Sequence, residues 1–215
     1  MKQFLLLALS LFATSNLIAQ DDPKSRGIID RLIAKNKGYT SFEAEFTSRL
    51  QDKASKLDIS QSGTVKVRGK KFRLTLDDHT VMNDGITMWT YSKEANEVTI
   101  SDPGEMDQEL DPSQILTVYE KGFKSQFVDE TKDASGATIQ TIKLFPLEPA
   151  KKPYHTVSLS LDQTKLDPRT IQVLYKDGNV VTYTLKKFTP NVDLPEATFI
   201  FDKGKFPGVE VNDMR

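Results

Sequence analysis

The side chains best able to do chemistry are two histidines and one run of acids. A histidine acts as a general base or metal ligand only beside a positioned partner, and His79 and His155 stand far apart in the chain. His79 follows Asp77-Asp78 in a turn-like stretch and His155 opens a strand, so both read as solvated side chains. Asp102, Glu105, Asp107, Glu109 and Asp111 are dense in carboxylate but lack the Asp-x-Asp-x-Asp-Gly order of a calcium loop. They read as a solvated connection between strand and helix. The carboxylate pair of a glycoside hydrolase is defined by distance in space, and no pair stands out here. The chain has no cysteine, which removes thiol nucleophiles, thiolate metal sites and any disulfide framework. No Gly-x-Ser-x-Gly elbow, P-loop or Gly-x-Gly-x-x-Gly motif occurs. This inventory favours binding over catalysis and implies no cofactor and no metal.

The N-terminus sets where that binding must happen. Lys2 supplies a positive charge, the run from Phe4 to Phe12 is apolar, and Leu17-Ile18-Ala19 precedes Gln20. That is the order of a secretory signal peptide, residues 1–19. The run is shorter than the roughly 20 apolar residues that span a bilayer. Leu17 is bulky for its place before the cut, which leaves room for a small shift of the site. Without a cysteine, Gln20 cannot receive a lipid anchor. The expected product is an exported soluble protein, residues 20–215, working where no ATP is supplied. The 215-residue chain has a net charge of −1, which argues against a nucleic-acid partner. The size suits one domain with its own core.

Most of the chain alternates with period two. Phe42, Ala44, Phe46 and Leu50 alternate with Glu43, Glu45, Thr47 and Arg49. Leu57, Ile59, Gly63, Val65 and Val67 continue this through a second long strand, and Phe72, Leu74 and Leu76 through a third. Val157-Leu159-Leu161, Ile171-Val173-Tyr175 and Val181-Tyr183-Leu185 repeat it later. Asp84-Gly85, Ser135-Gly136 and Asp177-Gly178 are turn signals. About a dozen strands at short spacing predict an antiparallel sheet or barrel. Two helices are expected. Asp22-Pro23 caps one, with Ile28, Ile29, Leu32 and Ile33 as its apolar stripe and Gly38 as its stop. Asp111-Pro112 opens the other, with Ile115, Leu116 and Tyr119 on one side and Gly122 as its stop. Periodicity leaves open whether these helices fill the concave side of the sheet or cover a cavity there.

Several segments resemble the LolA family, periplasmic carriers of outer-membrane lipoproteins. Asn83-Asp84-Gly85 leading into Trp89-Thr90-Tyr91 is similar to that family's Asp-Gly turn and Trp-x-Tyr strand, with Glu97 to Ile100 as the Val-containing return. Phe199-Ile200-Phe201 followed by Pro207-Gly208-Val209-Glu210-Val211 resembles its ending. Asp167-Pro168 with Ile171-Gln172, Tyr183-Thr184-Leu185, and Ser41 to Phe46 after a first helix match in order. The resemblance implies a mainly β protein: an unclosed antiparallel half-barrel of about 11 strands, its helices acting as a lid over an apolar concave face. It implies a monomer that is not an enzyme and that takes acylated lipoproteins from an inner-membrane ABC transporter towards the outer membrane, where a receptor can stand. A carrier of another lipid, and a module that senses lipoproteins or binds proteins, stay open as alternatives.

On this reading the acyl-binding side chains come from the sheet, as Phe46, Val65, Val67, Phe72, Leu74 and Trp89, and from the helices, as Leu32, Ile33, Ile115, Leu116 and Tyr119. A register slip of one residue would turn a strand's set to the other face. The resemblance also implies a latch: an arginine at the end of the second strand that pins the lid through backbone carbonyls. Arg68 is the match, although the family's following proline is Gly69 here.

Overall fold

The computed structural model describes residues 22–105, 112–114 and 119–215. The leader, the acids Asp107, Glu109 and Asp111, and the lid residues Ile115 and Leu116 lie outside the described residues. Of the second helix expected after Asp111, Pro112–Gln114 is described, as a single 3-10 turn.

One α-helix is described, α1 (Pro23–Asn36). It begins as its sequence predicts: Asp22 is the N-cap, its carboxylate accepts from the Lys24 N–H at 2.9 Å, and Pro23 occupies the first turn. Its end differs from expectation. Gly38 adopts no left-handed conformation; its N–H bonds the Lys35 carbonyl at 3.1 Å, so a tightened last turn satisfies the carbonyls in place of a glycine cap.

Twelve strands form a single sheet in the order β12-β6-β5-β4-β3-β2-β1-β11-β10-β9-β8-β7. In chain order they are β1 (Ser41–Asp52), β2 (Leu57–Arg68), β3 (Lys71–Leu76), β4 (His79–Asn83), β5 (Met88–Ser92) and β6 (Glu97–Ser101). There follow β7 (Phe123–Lys132), β8 (Thr138–Pro146), β9 (Tyr154–Asp162), β10 (Pro168–Tyr175), β11 (Val180–Pro190) and β12 (Glu210–Asp213). Short turns join most neighbours, which makes those pairs antiparallel hairpins; β12, reached by a long return, pairs with β6 in parallel. The sheet stays unclosed, with β12 and β7 as its edges.

The turn between β2 and β3 explains the glycine at position 69. Arg68 pairs with Lys71, leaving a two-residue loop, and Gly69 sits at φ +59°. A two-residue hairpin needs a positive φ there, and proline, fixed near −65°, is excluded.

Register then sorts the side chains. Phe42, Val67 and Phe72 stand opposite one another across β1, β2 and β3, as do Ala44, Val65 and Leu74. The same face continues through Tyr183, Ile171, Leu159 and Ile142 on β11, β10, β9 and β8. From β3 through β2, β1, β11, β10 and β9 to β8 one face of the sheet is therefore mainly apolar, and α1 packs on its β7–β10 half. There Ile28, Ile29 and Leu32 meet Tyr119, Ile142, Leu144, Leu159 and Leu161 in one buried cluster. Each such side chain taken fully out of water contributes about 1.5–3 kcal/mol. Phe42, Ala44, Phe46, Val65, Val67 and Phe72 form a second cluster on the β1–β3 half.

Polar contacts fix α1 at both ends. At its start the Asp22 carboxylate accepts the Phe127 N–H of β7 at 2.7 Å, the Asp22 N–H bonds the Ser125 carbonyl, and the Ser25 and Ser125 hydroxyls meet at 2.8 Å. At its end Lys35 bonds Asp167 at 2.6 Å, and the Asn36 amide donates to the Tyr119 hydroxyl.

Candidate functional site

Neither histidine has the surroundings of a catalytic base. His79 is exposed at the start of β4 with Asp78 at 3.0 Å, and His155 is exposed on β9 beside the Thr156 hydroxyl at 2.8 Å. Among the described residues no group of three or more His, Asp or Glu could hold a metal ion. The feature that calls for an explanation is the apolar face.

The structure gathers most of the residues expected there. Phe46, Val65, Val67 and Phe72 are buried together with Leu74 packed against them. Leu32 and Tyr119 lie in the cluster under α1, and Ile33 borders it. Burial pushes the Tyr119 phenol well above its ordinary range, so it acts here as a neutral group. The shape of Phe46 depends on Gly63. A Cβ on that glycine would come within 2.6 Å of the Phe46 ring and 2.9 Å of Leu76, so the missing side chain is what lets the ring lie across β2.

Two residues are placed differently from expectation. Trp89 pairs with Met82 and Ile100, and Met82 pairs with Arg73. Arg73 alternates with the apolar Phe72 and Leu74, so Trp89 is on the opposite, outer face. That face carries its own apolar layer at β4–β6. The segment from Asn191 to Val209 returns across it, burying Leu194, Phe199 and Val209 with Met82 and Val98. Tyr91, Phe201 and Phe206 pack their rings there, with centroids 4.5–6.2 Å apart. Arg68 is on the outer face too. Its guanidinium donates to the Leu194 carbonyl, pairs with Glu196 and lies 5.3 Å from the centre of the Phe199 ring. It does pin a backbone carbonyl, but one of the returning segment. The neighbouring Val67 points inwards, and strand alternation sends Arg68 out.

The expected acyl-binding set left out Ile142, Leu144, Leu159 and Leu161, which are among the most deeply buried side chains. The alternation of Ile142, Leu144 and Pro146 was available as a signal in β8.

The face divides into a closed part and an open part. Under α1 it is filled, with Leu32, Ile142 and Leu161 at 0% exposure. Towards the β1–β2 turn the same rows run on through Leu50, Val181 and Val173, which are half-buried, to Ile59 and Leu57, which are 49% and 43% exposed. A depression of about 260 Å³ is lined by Phe46, Gly63 and Leu76 and rimmed by Glu45, Ser62, Thr64, Thr75, Asp77 and Lys186. No helix among the described residues is long and apolar enough to cross a membrane.

A wide, unclosed and mainly antiparallel sheet with an apolar concave face, covered in part by α1 among the described residues, defines a binding scaffold. The chain belongs to the LolA family: the family model described as outer membrane lipoprotein carrier protein LolA matches residues 37–202. Solved structures share the fold. An uncharacterized conserved protein from Thermus thermophilus superposes with a TM-score of 0.56 at 13% identity, over 87% of this chain and 98% of that one. The Mycobacterium tuberculosis lipoprotein LppX superposes with a TM-score of 0.50 at 16% identity, over 81% of this chain and all of that one. No curated protein matched in a sequence search.

Proposed function

We propose that the protein is a non-catalytic periplasmic carrier that shields the acyl chains of lipoproteins on its concave face, between an inner-membrane transporter and the outer membrane. The observation that carries this reading is the apolar face itself, which extends past its helical cover and leaves Leu57 and Ile59 exposed. The family of the chain and the leader-like N-terminus agree with it. An acyl chain in water costs about 0.8 kcal/mol per methylene, and an apolar surface offsets that cost with no covalent step. Transport also needs release. A face that is filled under α1 and exposed beyond it offers partial shelter, which keeps binding reversible.

Mass spectrometry of the protein purified gently from its own periplasm tests the reading. Acylated lipoproteins in near-stoichiometric amount, lost from Leu74→Glu and Val173→Glu variants, are the expected result. Free lipid without lipoprotein would assign the same face to a lipid carrier. Neither species after crosslinking would overturn the carrier reading.

A further inference from the structure

The exposed end of the apolar face coincides with a basic turn. The β1–β2 turn carries Lys53 and Lys56, and among the described residues neither has an acidic partner. The acids around it are engaged: Asp52 accepts the N–H groups of Ala54 and Ser55, and Asp58 is held by Arg49. Leu57 and Ile59 follow at once, on the concave face, at 43% and 49% exposure. Because Gln51 pairs with Val180, the β10–β11 turn with Lys176 is the next turn along this rim. The connection between β8 and β9 adjoins it, since the Lys176 ammonium bonds the Pro149 carbonyl, and it exposes Leu147 at 55%. At the other end of the sheet the exposed Ile86, in the β4–β5 turn, stands beside Asp84 and has no lysine next to it.

We propose that this rim is a membrane-docking edge: Leu57, Ile59 and Leu147 enter the interfacial layer of an anionic leaflet while Lys53, Lys56 and Lys176 meet lipid phosphates. This rests on the carrier reading and says where cargo passes. Exposed aliphatic side chains flanked by lysines bind a bilayer surface through apolar burial and attraction to anionic lipid together. Docked this way, the row Ile59, Leu50, Val181, Val173 lies along the bilayer surface, and Tyr183 and Leu185 on β11 and Ile171 on β10 lead from it into the concave face. An acyl chain leaving the leaflet would then stay against apolar surface along its path.

Flotation with vesicles tests this, using the protein purified after export. Vesicles of phosphatidylethanolamine with about a third phosphatidylglycerol should retain it at low salt, and raised salt should weaken retention as lysine–phosphate attraction is screened. Leu57→Glu with Ile59→Glu should reduce retention about tenfold, and Lys53→Glu with Lys56→Glu should do so at low salt only. These side chains are exposed, and an unchanged melting temperature would show that the variants fold. No retention at low salt, or retention by both double variants equal to that of the parent, overturns the docking edge. Binding of a palmitoylated peptide in vesicle-free solution is read in parallel. Peptide binding without vesicle retention removes the docking edge and leaves the carrier reading standing; loss of peptide binding by the parent protein counts against the carrier reading instead.

Discussion

The two faces of the sheet are both covered, but by different means. On the inner face α1 lays aliphatic Ile28, Ile29 and Leu32 on Ile142, Leu144, Leu159 and Leu161, with hydrogen bonds at both helix ends. On the outer face the returning segment lays Phe199, Phe201 and Phe206 on Met82, Tyr91 and Val98, with Arg68 as its clasp. The difference lies beyond the covers. Outside its cover the outer face of β1 and β2 is polar, with Glu43, Glu45, Thr64 and Lys66, whereas the inner face, interrupted by the Ser48–Gln61 pair, is apolar again at Leu50, Ile59 and Leu57. An apolar surface larger than its own cover marks an interaction site, and on β1 and β2 it is the inner face that has such a surplus, at Leu57 and Ile59.

The comparison breaks most visibly at the two fully buried rings. Phe72→Ala on the inner face and Phe199→Ala on the outer should each lower stability by about 3–5 kcal/mol in urea titrations. Their binding phenotypes should part: Phe199→Ala keeps acyl-peptide binding per folded molecule, and Phe72→Ala loses it. Equal loss in both would mean that the faces do not act separately. Gly63→Ala should come next, at about 1–3 kcal/mol, because its methyl displaces the Phe46 ring. Changed ring shifts of Phe46 and Tyr183, now 6.1 Å apart, would report the displacement by NMR.

Smaller effects sharpen the contrast between the clasps. Arg68→Leu should speed amide exchange from Leu194 to Phe199 and leave cargo release at the parent rate; trapped cargo would instead restore the lid-latch role expected from sequence. Asp22 gives a pH handle on the inner cover. The Phe127 N–H, and then that of Lys24, hold its carboxyl below the usual carboxylate range. A folded-state pKa below the unfolded one means that the stabilisation is present above the unfolded pKa of about 4 and is lost as pH falls through the lower folded value. Amide protection at Phe127 should therefore fade below about pH 4, and Asp22→Asn should reduce it at neutral pH as well.

Trp89 shows how far the sequence could be read. In Met88-Trp89-Thr90-Tyr91 both phases carry a large apolar side chain, so alternation alone does not say which phase is the inner one. The assignment needed the register with Met82, which no local pattern contains. Arg68 failed in a related way: the expectation of a pinned carbonyl was met, but alternation turned the side chain outwards to Leu194.

Most of the strands, the Asp22-Pro23 helix start, the absence of thiol chemistry and the apolar phase of β1, β2 and β3 were legible in the chain itself. Those depend on periodicity and on neighbouring residues, and both are local. Which face each phase occupies, the outer cover formed by residues 191–209, and an inner face filled under α1 yet exposed at Ile59 came from the folded arrangement. Those depend on pairings between residues far apart in the chain, where burial is set by what arrives from elsewhere.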